Sequence, residues 1–402
     1  MRRAPTECEE QGLTTIHHAA SGPAATLQTI DTPCLMLDAT RMERNVARLK
    51  SHLAALGPGL RPHLKTAKSV DVARRVMTSE AGPATVSTLK EAEQFAAAGV
   101  RDLIYAVGIA PGKLDRVLAL RESGVDLAVI LDTVEQAHLV ADASRRSGTH
   151  IPALIEIDCD GHRSGVAPDD AASLVAIGRA IVDGGAELRG VLTHAGGSYG
   201  ARGRAALEQC AENERAGAVK AAETLRAAGL PCPVVSVGST PTAHFSRDLS
   251  GVTEVRAGVF VFFDLVMAGI GVCQIDDIAL SVLATVIGHQ PSKGWILIDA
   301  GWMAMSRDRG TAKQEVDQGY GVVCDVDGRP FEDLLMVDAN QEHGVIALRT
   351  GSKATLPDLP IGTRVRILPN HACATGAQHD RYYVVRDGAD LIEAAWPRFG
   401  GW

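Results

Sequence analysis

Short runs of aliphatic and β-branched residues alternate with longer amphipathic runs from Thr32 to about Ile275. This alternation is typical of repeated strand and helix units around a parallel sheet. Eight strands are predicted, at residues 60–65, 84–87, 102–107, 126–131, 152–158, 189–194, 233–238 and 253–257. Eight such units favour a closed (β/α)8 barrel, with an open eight-stranded sheet as the alternative.

Three of the connecting segments carry helix boundary signals. Pro111 opens a helix that Ser123-Gly124 ends, and Asp132 or Thr133 can cap the next one. A longer helix is predicted over residues 207–228, where Gly229 and Pro231 stop it.

The pattern changes after about Ile275, where strand-like runs follow one another with few helical segments between them. These runs cover residues 278–287, 295–300, 320–326, 344–348, 364–368 and 382–386. Asp327-Gly328 and Asp387-Gly388 fit two-residue hairpin turns, which need positive φ. We therefore expect a poorly ordered leader over 1–31, an α/β barrel over 32–275 and an antiparallel β domain over 276–402.

Composition and charge narrow the function classes. Apolar residues make up 46% of the 402 residues and charged residues 22%, which is enough for a large core. The net charge of −8 and the lack of a basic run argue against binding to nucleic acid or an anionic membrane. No apolar run is long enough to span a bilayer, and the N-terminus lacks a signal-peptide core, so a cytoplasmic location is expected. The eight cysteines contain no CxxC pair, which argues against a disulfide framework or a zinc ribbon.

Unusual residues cluster where the predicted barrel strands end. Barrel enzymes carry their chemistry at the carboxyl ends of the strands. The segments that follow the strands here, rich in titratable residues and glycine, are residues 61–66, 158–165, 193–199, 238–240 and 256–259. We expect them to converge on one rim of the barrel.

Two of these segments suggest binding chemistry. Lys65 could act as a Schiff-base amine with a depressed pKa. Lys68 could have this role instead, and the alternative without a function is that Lys65 is a solvated lysine in a loop. The glycines and hydroxyls at 238–240 and 258–259 could bind a phosphate through backbone N–H groups, although Gly-Ser-Thr is also a common turn.

His371 and Cys373 are the sharpest feature of the second half. In an extended chain, residues two apart point the same way, so the imidazole and the thiolate could share a Zn²⁺ or Co²⁺ ion. A capping histidine beside a buried cysteine is the alternative. Residues 341–344 could supply a further ligand or an orienting carboxylate, or could form a plain turn.

Taken together, these motifs resemble one enzyme family. They are RPHLKTAKS at 61–69, TLKEAE at 88–93, DGHRSGV at 160–166, GSTPT at 238–242, QEHG at 341–344 and PNHAC at 369–373. In this order they resemble the metal-activated, alanine-racemase-like pyridoxal-phosphate enzymes, which include D-threonine aldolase and D-serine dehydratase. Residues 191–196, 299–309 and 370–376 most resemble dehydratases of that family.

The resemblance implies a fold-type III pyridoxal-phosphate barrel, a β domain that includes a strand near residues 34–37, and a homodimer. It implies that Lys65 binds the aldehyde of pyridoxal phosphate and that Tyr199 lines the cofactor. Five residues would hold the phosphate: Gly238, Ser239, Thr240, Gly258 and Val259. For the pyridine nitrogen, Arg163 is favoured over Arg256. His371 and Cys373 would bind a divalent metal such as Zn²⁺, Co²⁺ or Mn²⁺.

The reaction implied is the elimination of water from a D-3-hydroxy amino acid followed by deamination. With 3-hydroxyaspartate as the expected substrate, the products would be oxaloacetate and ammonia. D-Serine dehydration and retro-aldol cleavage on the same scaffold are the alternatives; the aldolases carry Asp in place of Cys373, which favours elimination. A racemase would need no metal, and non-catalytic pyridoxal-phosphate carriers lack the β domain. Candidates for binding a second carboxylate are Arg307, Arg309, His194 and Ser198.

Overall fold

A computed structural model describes residues 25–386 and 389–402. The strands in this part of the chain are β1 Cys34–Asp38, β2 Gly59–Pro62, β3 Ala84–Val86, β4 Asp102–Gly108, β5 Asp126–Leu131, β6 Pro152–Ile157, β7 Glu187–Thr193, β8 Val234–Val237, β9 Glu254–Ala257, β10 Leu280–Gln290, β11 Trp295–Ile298, β12 Gly321–Cys324, β13 Pro330–Ala339, β14 Gly344–Leu348, β15 Arg364–Pro369, β16 Arg381–Val385 and β17 Ala394–Pro397. The α-helices are α1 Ala39–Leu56, α2 Val70–Val76, α3 Leu89–Ala97, α4 Leu114–Glu122, α5 Val134–Ser147, α6 Ala171–Asp183, α7 Gly203–Ala227, α8 Thr240–Phe245, α9 Leu265–Gly269, α10 Trp302–Met305 and α11 Ala372–Gly376.

Strands β2 to β9 form one parallel sheet in the order β2-β9-β8-β7-β6-β5-β4-β3. The sheet closes between β2 and β3, where the Leu64 N–H donates to the Thr85 carbonyl at 2.8 Å and His63 bridges Thr85. The predicted barrel is therefore confirmed over the open sheet. Each of the eight strands lies where the sequence predicts it, with ends that differ by at most three residues.

The helices around the barrel begin at the expected capping residues. The Thr133 side chain accepts from the Gln136 N–H and so caps α5. Pro111 opens a short 3-10 turn that leads into α4. The long predicted helix is α7, which begins at Gly203, four residues before the predicted start.

The second half forms a mainly antiparallel sheet in the order β11-β14-β13-β12-β15-β10-β1-β16-β17, in which β1 and β16 pair in parallel. Strand β1, from the N-terminal side of the barrel, lies between β10 and β16, as the resemblance implied. Strands β13 and β17 were not predicted. The turn at Asp327-Gly328 exists, with φ of +84° at Gly328, but three residues rather than two connect Asp325 and Arg329.

Two sequence-based expectations fall partly or wholly outside the described residues. Asp387-Gly388 lies there, as do residues 1–24 of the expected leader. From residue 25 onward the chain is anchored, because Thr26 bridges Leu391 and the Leu27 N–H donates to the Asp390 carbonyl.

The barrel and the antiparallel sheet share one continuous core. Phe262 at the barrel rim contacts Tyr382 of β16, with ring centroids 5.4 Å apart, and the Tyr382 hydroxyl donates to the Ala67 carbonyl at 2.6 Å. The loops at the rim are therefore held against residues of the second half. Within the described ranges, no helix combines the length and the apolar character needed to cross a membrane.

Candidate active site

A cavity of about 730 Å³ lies at the carboxyl ends of the barrel strands and extends to the second half of the chain. It is lined by all ten residues that the resemblance assigned to the cofactor or the metal: Lys65, Arg163, Tyr199, Gly238, Ser239, Thr240, Gly258, Val259, His371 and Cys373. The expected convergence on one rim is therefore confirmed.

Lys65 follows β2, and its side chain lines the cavity. Seclusion from bulk water lowers the pKa of its amine; Arg163 and Arg256 act in the same direction, while Cys373 and Glu91 oppose them. The rival Lys68 is not part of the lining. Its Nζ lies 3.2 Å from the buried Glu91 carboxylate. Of the two lysines, only Lys65 faces the cavity as an amine without a bound carboxylate.

The loops after β8 and β9 form one wall of the cavity. Ser239 caps α8 through a reciprocal capping box with Thr242. A Cβ on Gly238 would lie 1.9 Å from the Arg256 carbonyl oxygen, so only glycine fits there. At Gly258 a Cβ would lie 3.1 Å from Thr66 Oγ1. In the described part of the chain, the N–H groups of Gly258 and Val259 donate no hydrogen bond, which leaves them available to an anion.

Tyr199 and His194 stand on the segment that follows β7. The His194 Nδ1 lies 3.0 Å from the Gly238 carbonyl oxygen, so this nitrogen carries the proton. Burial, together with Lys65 and Arg256, lowers the pKa of His194 to about 3, so the ring is neutral. Burial raises the pKa of the Tyr199 hydroxyl, which keeps it protonated. Ser198 Oγ lies 2.9 Å from Ser239 Oγ and is occupied by that contact.

Both arginines considered for the pyridine nitrogen line the cavity, but in different environments. Arg256 is buried and donates to Ser236 Oγ at 2.7 Å and to the Thr193 carbonyl at 2.5 Å. Burial lowers its pKa to about 10. The Arg163 side chain is 60% exposed, with Nη2 3.4 Å from Glu156. Arg163 is therefore the arginine with more freedom to bind a further partner.

His371 and Cys373 come together at the start of α11. The expected extended chain is found only at His371, since Cys373 already lies in the first turn of the helix. Their side chains nevertheless line the same cavity. Burial raises the pKa of the Cys373 thiol, but the neighbouring His371 and the Thr66 hydroxyl, 3.2 Å from Sγ, lower it by more. Burial lowers the pKa of His371, and Asp308 and Cys373 raise it by more.

Two carboxylates hold the His371–Cys373 turn in place. Asp308 Oδ2 lies 2.7 Å from His371 Nδ1. Asp264, on the barrel side, accepts from the Ala372 N–H at 3.0 Å and caps α9 by accepting from the Met267 N–H. The turn is therefore fixed to both halves of the fold. Neither aspartate was predicted from the sequence to have a role, although Asp308 lies within the family-like segment 299–309.

The donor set fits a divalent metal. Asp308 occupies Nδ1 of His371, which leaves Nε2 free, and Cys373 lines the same cavity; imidazole with thiolate suits Zn²⁺ or Co²⁺. Across 25–386 and 389–402 no group of three His, Cys, Asp or Glu side chains is placed to hold an ion. Two protein ligands leave coordination positions open to water or substrate, as catalytic metals require.

Several candidates from the sequence lie elsewhere. Arg307 stacks on Trp302, and Arg309 pairs with Asp317 at 2.6 Å. Residues 341–343 are exposed and form the turn between β13 and β14, which packs on Gly301. In their place the structure brings Lys313 and Arg202 to the cavity, two residues that no motif had singled out.

Comparison with known proteins agrees with this architecture. Residues 37–266 match the family model described as alanine racemase, N-terminal domain, and residues 279–385 match the putative serine dehydratase domain. The chain belongs to this alanine-racemase-like family. This is a family of pyridoxal-phosphate enzymes of fold type III, so the resemblance that the motifs indicated is confirmed.

The relatives agree over nearly the whole chain. The chain is 57% identical to D-threo-3-hydroxyaspartate dehydratase of Delftia sp. strain HT23, over 94% of this chain and 99% of that protein. A solved structure of that dehydratase superposes with a TM-score of 0.91, covering 94% of this chain and 100% of the other. D-Threonine aldolase from Filomicrobium marinum superposes with a TM-score of 0.79 at 26% identity, covering 94% and 98%.

Proposed function

We propose that this protein is a pyridoxal-phosphate- and divalent-metal-dependent dehydratase of D-3-hydroxy amino acids that converts D-threo-3-hydroxyaspartate to oxaloacetate and ammonia. The observation that carries the proposal is the presence in one cavity of an unpaired amine, Lys65, and an imidazole–thiolate pair, His371 and Cys373. The 57% identity to a dehydratase of this substrate supports it.

The barrel residues provide the cofactor site. Lys65 would bind the aldehyde carbon, Tyr199 would line the ring and Arg163 would face the pyridine nitrogen. The five loop residues Gly238, Ser239, Thr240, Gly258 and Val259 would hold the phosphate, since the N–H groups of Gly258 and Val259 are free among the described residues. We assign residues 32–275 to cofactor binding and residues 276–402 to metal binding, with β1 as the strand that crosses between them.

Bound pyridoxal phosphate supplies an electron sink for the Cα–H bond, and a bound metal supplies a Lewis acid for the β-hydroxyl, which is a poor leaving group at neutral pH. Lys65 Nζ would take the Cα proton, and its lowered pKa favours the neutral amine that this role needs. Neutral His194 and Tyr199 add no charge that would compete for that proton.

The metal ligands favour elimination over carbon–carbon cleavage. Two solved structures described as D-threo-3-hydroxyaspartate dehydratase, each 56% identical to this chain, carry a histidine or a cysteine replaced by alanine, the second described as metal-free, and the two positions have the spacing of His371 and Cys373. The family resemblance places Asp at the position of Cys373 in the aldolases, so the thiol favours elimination.

One experiment separates the candidate reactions. The purified enzyme, treated with EDTA or reloaded with Zn²⁺, Co²⁺ or Mn²⁺, is mixed with D-threo-3-hydroxyaspartate, D-serine or D-threonine, and 2-oxo acid and glycine are measured. We expect metal-dependent oxaloacetate with no glycine. Glycine as the main product would indicate an aldolase, and metal-independent inversion at Cα without 2-oxo acid would indicate a racemase.

We further propose a homodimer located in the cytoplasm. All seven cysteines among the described residues are free thiols, which suits a reducing compartment. Light scattering of the purified chain at several concentrations tests the dimer, and a mass near that of one chain would contradict it.

A further inference from the structure

The cavity contains more positive charge than cofactor binding uses. Five lysine or arginine residues line it: Lys65, Arg163, Arg202, Arg256 and Lys313. Lys65 and Arg163 are assigned to the cofactor. Arg256 is buried and bonded to Ser236 and the Thr193 carbonyl. Arg202 and Lys313 remain without a role in the proposed reaction.

These two side chains come from different halves of the fold. Arg202 belongs to the barrel, and its Nη1 donates to the Ala201 carbonyl at 2.9 Å. Lys313 ends the short helical turn Gly310–Lys313, five residues after Asp308, and its side chain is exposed to the cavity. Within the described residues no carboxylate lies within 4 Å of the Lys313 amine, so this amine forms no ion pair there.

The chemistry of the substrate indicates which half must supply the cation. In a 3-hydroxyaspartate the second carboxylate is attached to the carbon that bears the hydroxyl group. A metal held by His371 and Cys373 would bind that hydroxyl, so the second carboxylate lies toward the same side of the cavity. Lys313 lines the cavity from the half of the chain that carries these ligands, on a turn whose Thr311 donates to Asn370, the residue before His371. Arg307 and Arg309 are engaged with Trp302 and Asp317.

We propose that Lys313 binds the second carboxylate of the substrate and is the residue that selects acidic D-3-hydroxy amino acids over D-serine and D-threonine. This inference rests on the proposed function, since it deepens the substrate class of the same site. An amine that meets a carboxylate in a partly water-excluded cavity forms a charge-assisted hydrogen bond, which is strong enough to dominate the choice between related substrates.

Binding of two unreactive amino acids tests the proposal directly. D-Aspartate and D-alanine both lack the 3-hydroxyl and cannot lose water, and they differ by the second carboxylate. Their dissociation constants are measured by titrating the holoenzyme and following its visible absorption. For Lys313→Met we expect D-aspartate to bind about 10- to 100-fold more weakly while D-alanine changes less than about two-fold. Lys313→Glu should weaken D-aspartate binding further and leave D-alanine binding within the same limit.

Two further variants make the result specific. Lys353→Met removes an exposed lysine of the same half outside the cavity and should bind both ligands like the wild type. Arg202→Met removes the other unassigned cation. The proposal is overturned if Lys313→Met leaves the D-aspartate to D-alanine ratio unchanged, if both ligands weaken equally, or if the ratio collapses in Arg202→Met but not in Lys313→Met.

Steady-state kinetics complete the test. In Lys313→Met the KM for D-threo-3-hydroxyaspartate should rise with a smaller change in kcat, while kcat/KM for D-serine is maintained. If the wild type releases no 2-oxo acid from either substrate, the proposed function fails. The ligand titration then still decides whether Lys313 recognises a second carboxylate, so the two failures can be told apart.

Discussion

Nδ1 of His371 lies 2.7 Å from Oδ2 of Asp308. This contact fixes which imidazole nitrogen is free, because Nδ1 is occupied and Nε2 is not. A carboxylate behind a histidine in this way orients the ring and makes it a better ligand. Asp308, to which the sequence assigned no role, therefore contributes to the geometry of the proposed metal site.

Removing the Asp308 charge should weaken metal binding. For Asp308→Asn we expect about a 10- to 100-fold loss of Zn²⁺ affinity, because the ring loses its ionic partner while the amide keeps the shape. Competition with a chromophoric chelator measures the affinity without any assay of activity. Asp327→Asn, in an exposed turn, is the matched control. Equal affinities in wild type and Asp308→Asn would contradict a positioning role.

Spectroscopy should distinguish the roles of the two candidate lysines, Lys65 and Lys68. Lys65→Ala should abolish the visible absorption of the bound cofactor and reduce kcat by at least about 1000-fold, because one amine both holds the cofactor and moves the proton. Lys68→Met should keep the visible band and lose stability, because Glu91 is left without its cation. An absorption spectrum and a thermal melt of each purified variant measure both effects. The opposite result, with the band lost only in Lys68→Met, would exchange their roles.

The ligand at position 373 should influence the choice of reaction. In Cys373→Asp, a harder oxygen ligand replaces the thiolate and creates the pair found in the aldolases. We expect the metal-loaded variant to form glycine from 3-hydroxyaspartate alongside less oxaloacetate. Chromatography of both products from one reaction gives their ratio. An unchanged ratio in a variant that still binds metal would remove the argument from ligand identity.

A buried histidine should make stability fall at mildly acidic pH. His244 donates from Nδ1 to the Thr240 carbonyl, and burial lowers its pKa from 6.5 to about 4. Between these values the unfolded chain binds a proton that the folded chain does not, so stability decreases as pH falls through this window. At about pH 5 the expected loss relative to about pH 7 is roughly 2 kcal/mol from this residue.

The comparison of His244→Gln with the wild type isolates this contribution. The urea midpoint of the variant should fall less between about pH 7 and about pH 5 than that of the wild type. His138→Gln, at an exposed helix position, should follow the wild type. A His244→Gln variant with the full wild-type drop would assign the acid sensitivity to other groups.

Much of the fold could be predicted because buried parallel strands appear as short apolar runs, as at residues 127–131 and 152–155. Strand β13 was missed because Pro330 begins it and charged residues occupy its first half, with Asp333 at positive φ. Strand β17 has four residues and pairs only with β16, so its sequence holds little pattern.

The barrel residues that line the cavity could be predicted because they follow strands whose ends must meet. Asp308, Asp264 and Lys313 could not, because their contacts depend on how the second half approaches the barrel, and no local pattern encodes that approach. The same holds for Cys373, where an extended chain was expected and a helix start is found. The prediction that the His371 and Cys373 side chains share one site agrees with the cavity lining, although the backbone conformation from which it was made is wrong.

The position of β1 in the sheet has a consequence for how the chain folds during its synthesis. It is synthesised before the barrel, yet its two neighbours in the sheet, β10 and β16, are made after it. During translation both edges of β1 stay unpaired until the last third of the chain has left the ribosome. Along the sequence, the barrel thus lies between strands of the other sheet. A fragment starting at residue 276 would lack a central strand of that sheet, which only a separately supplied peptide could restore.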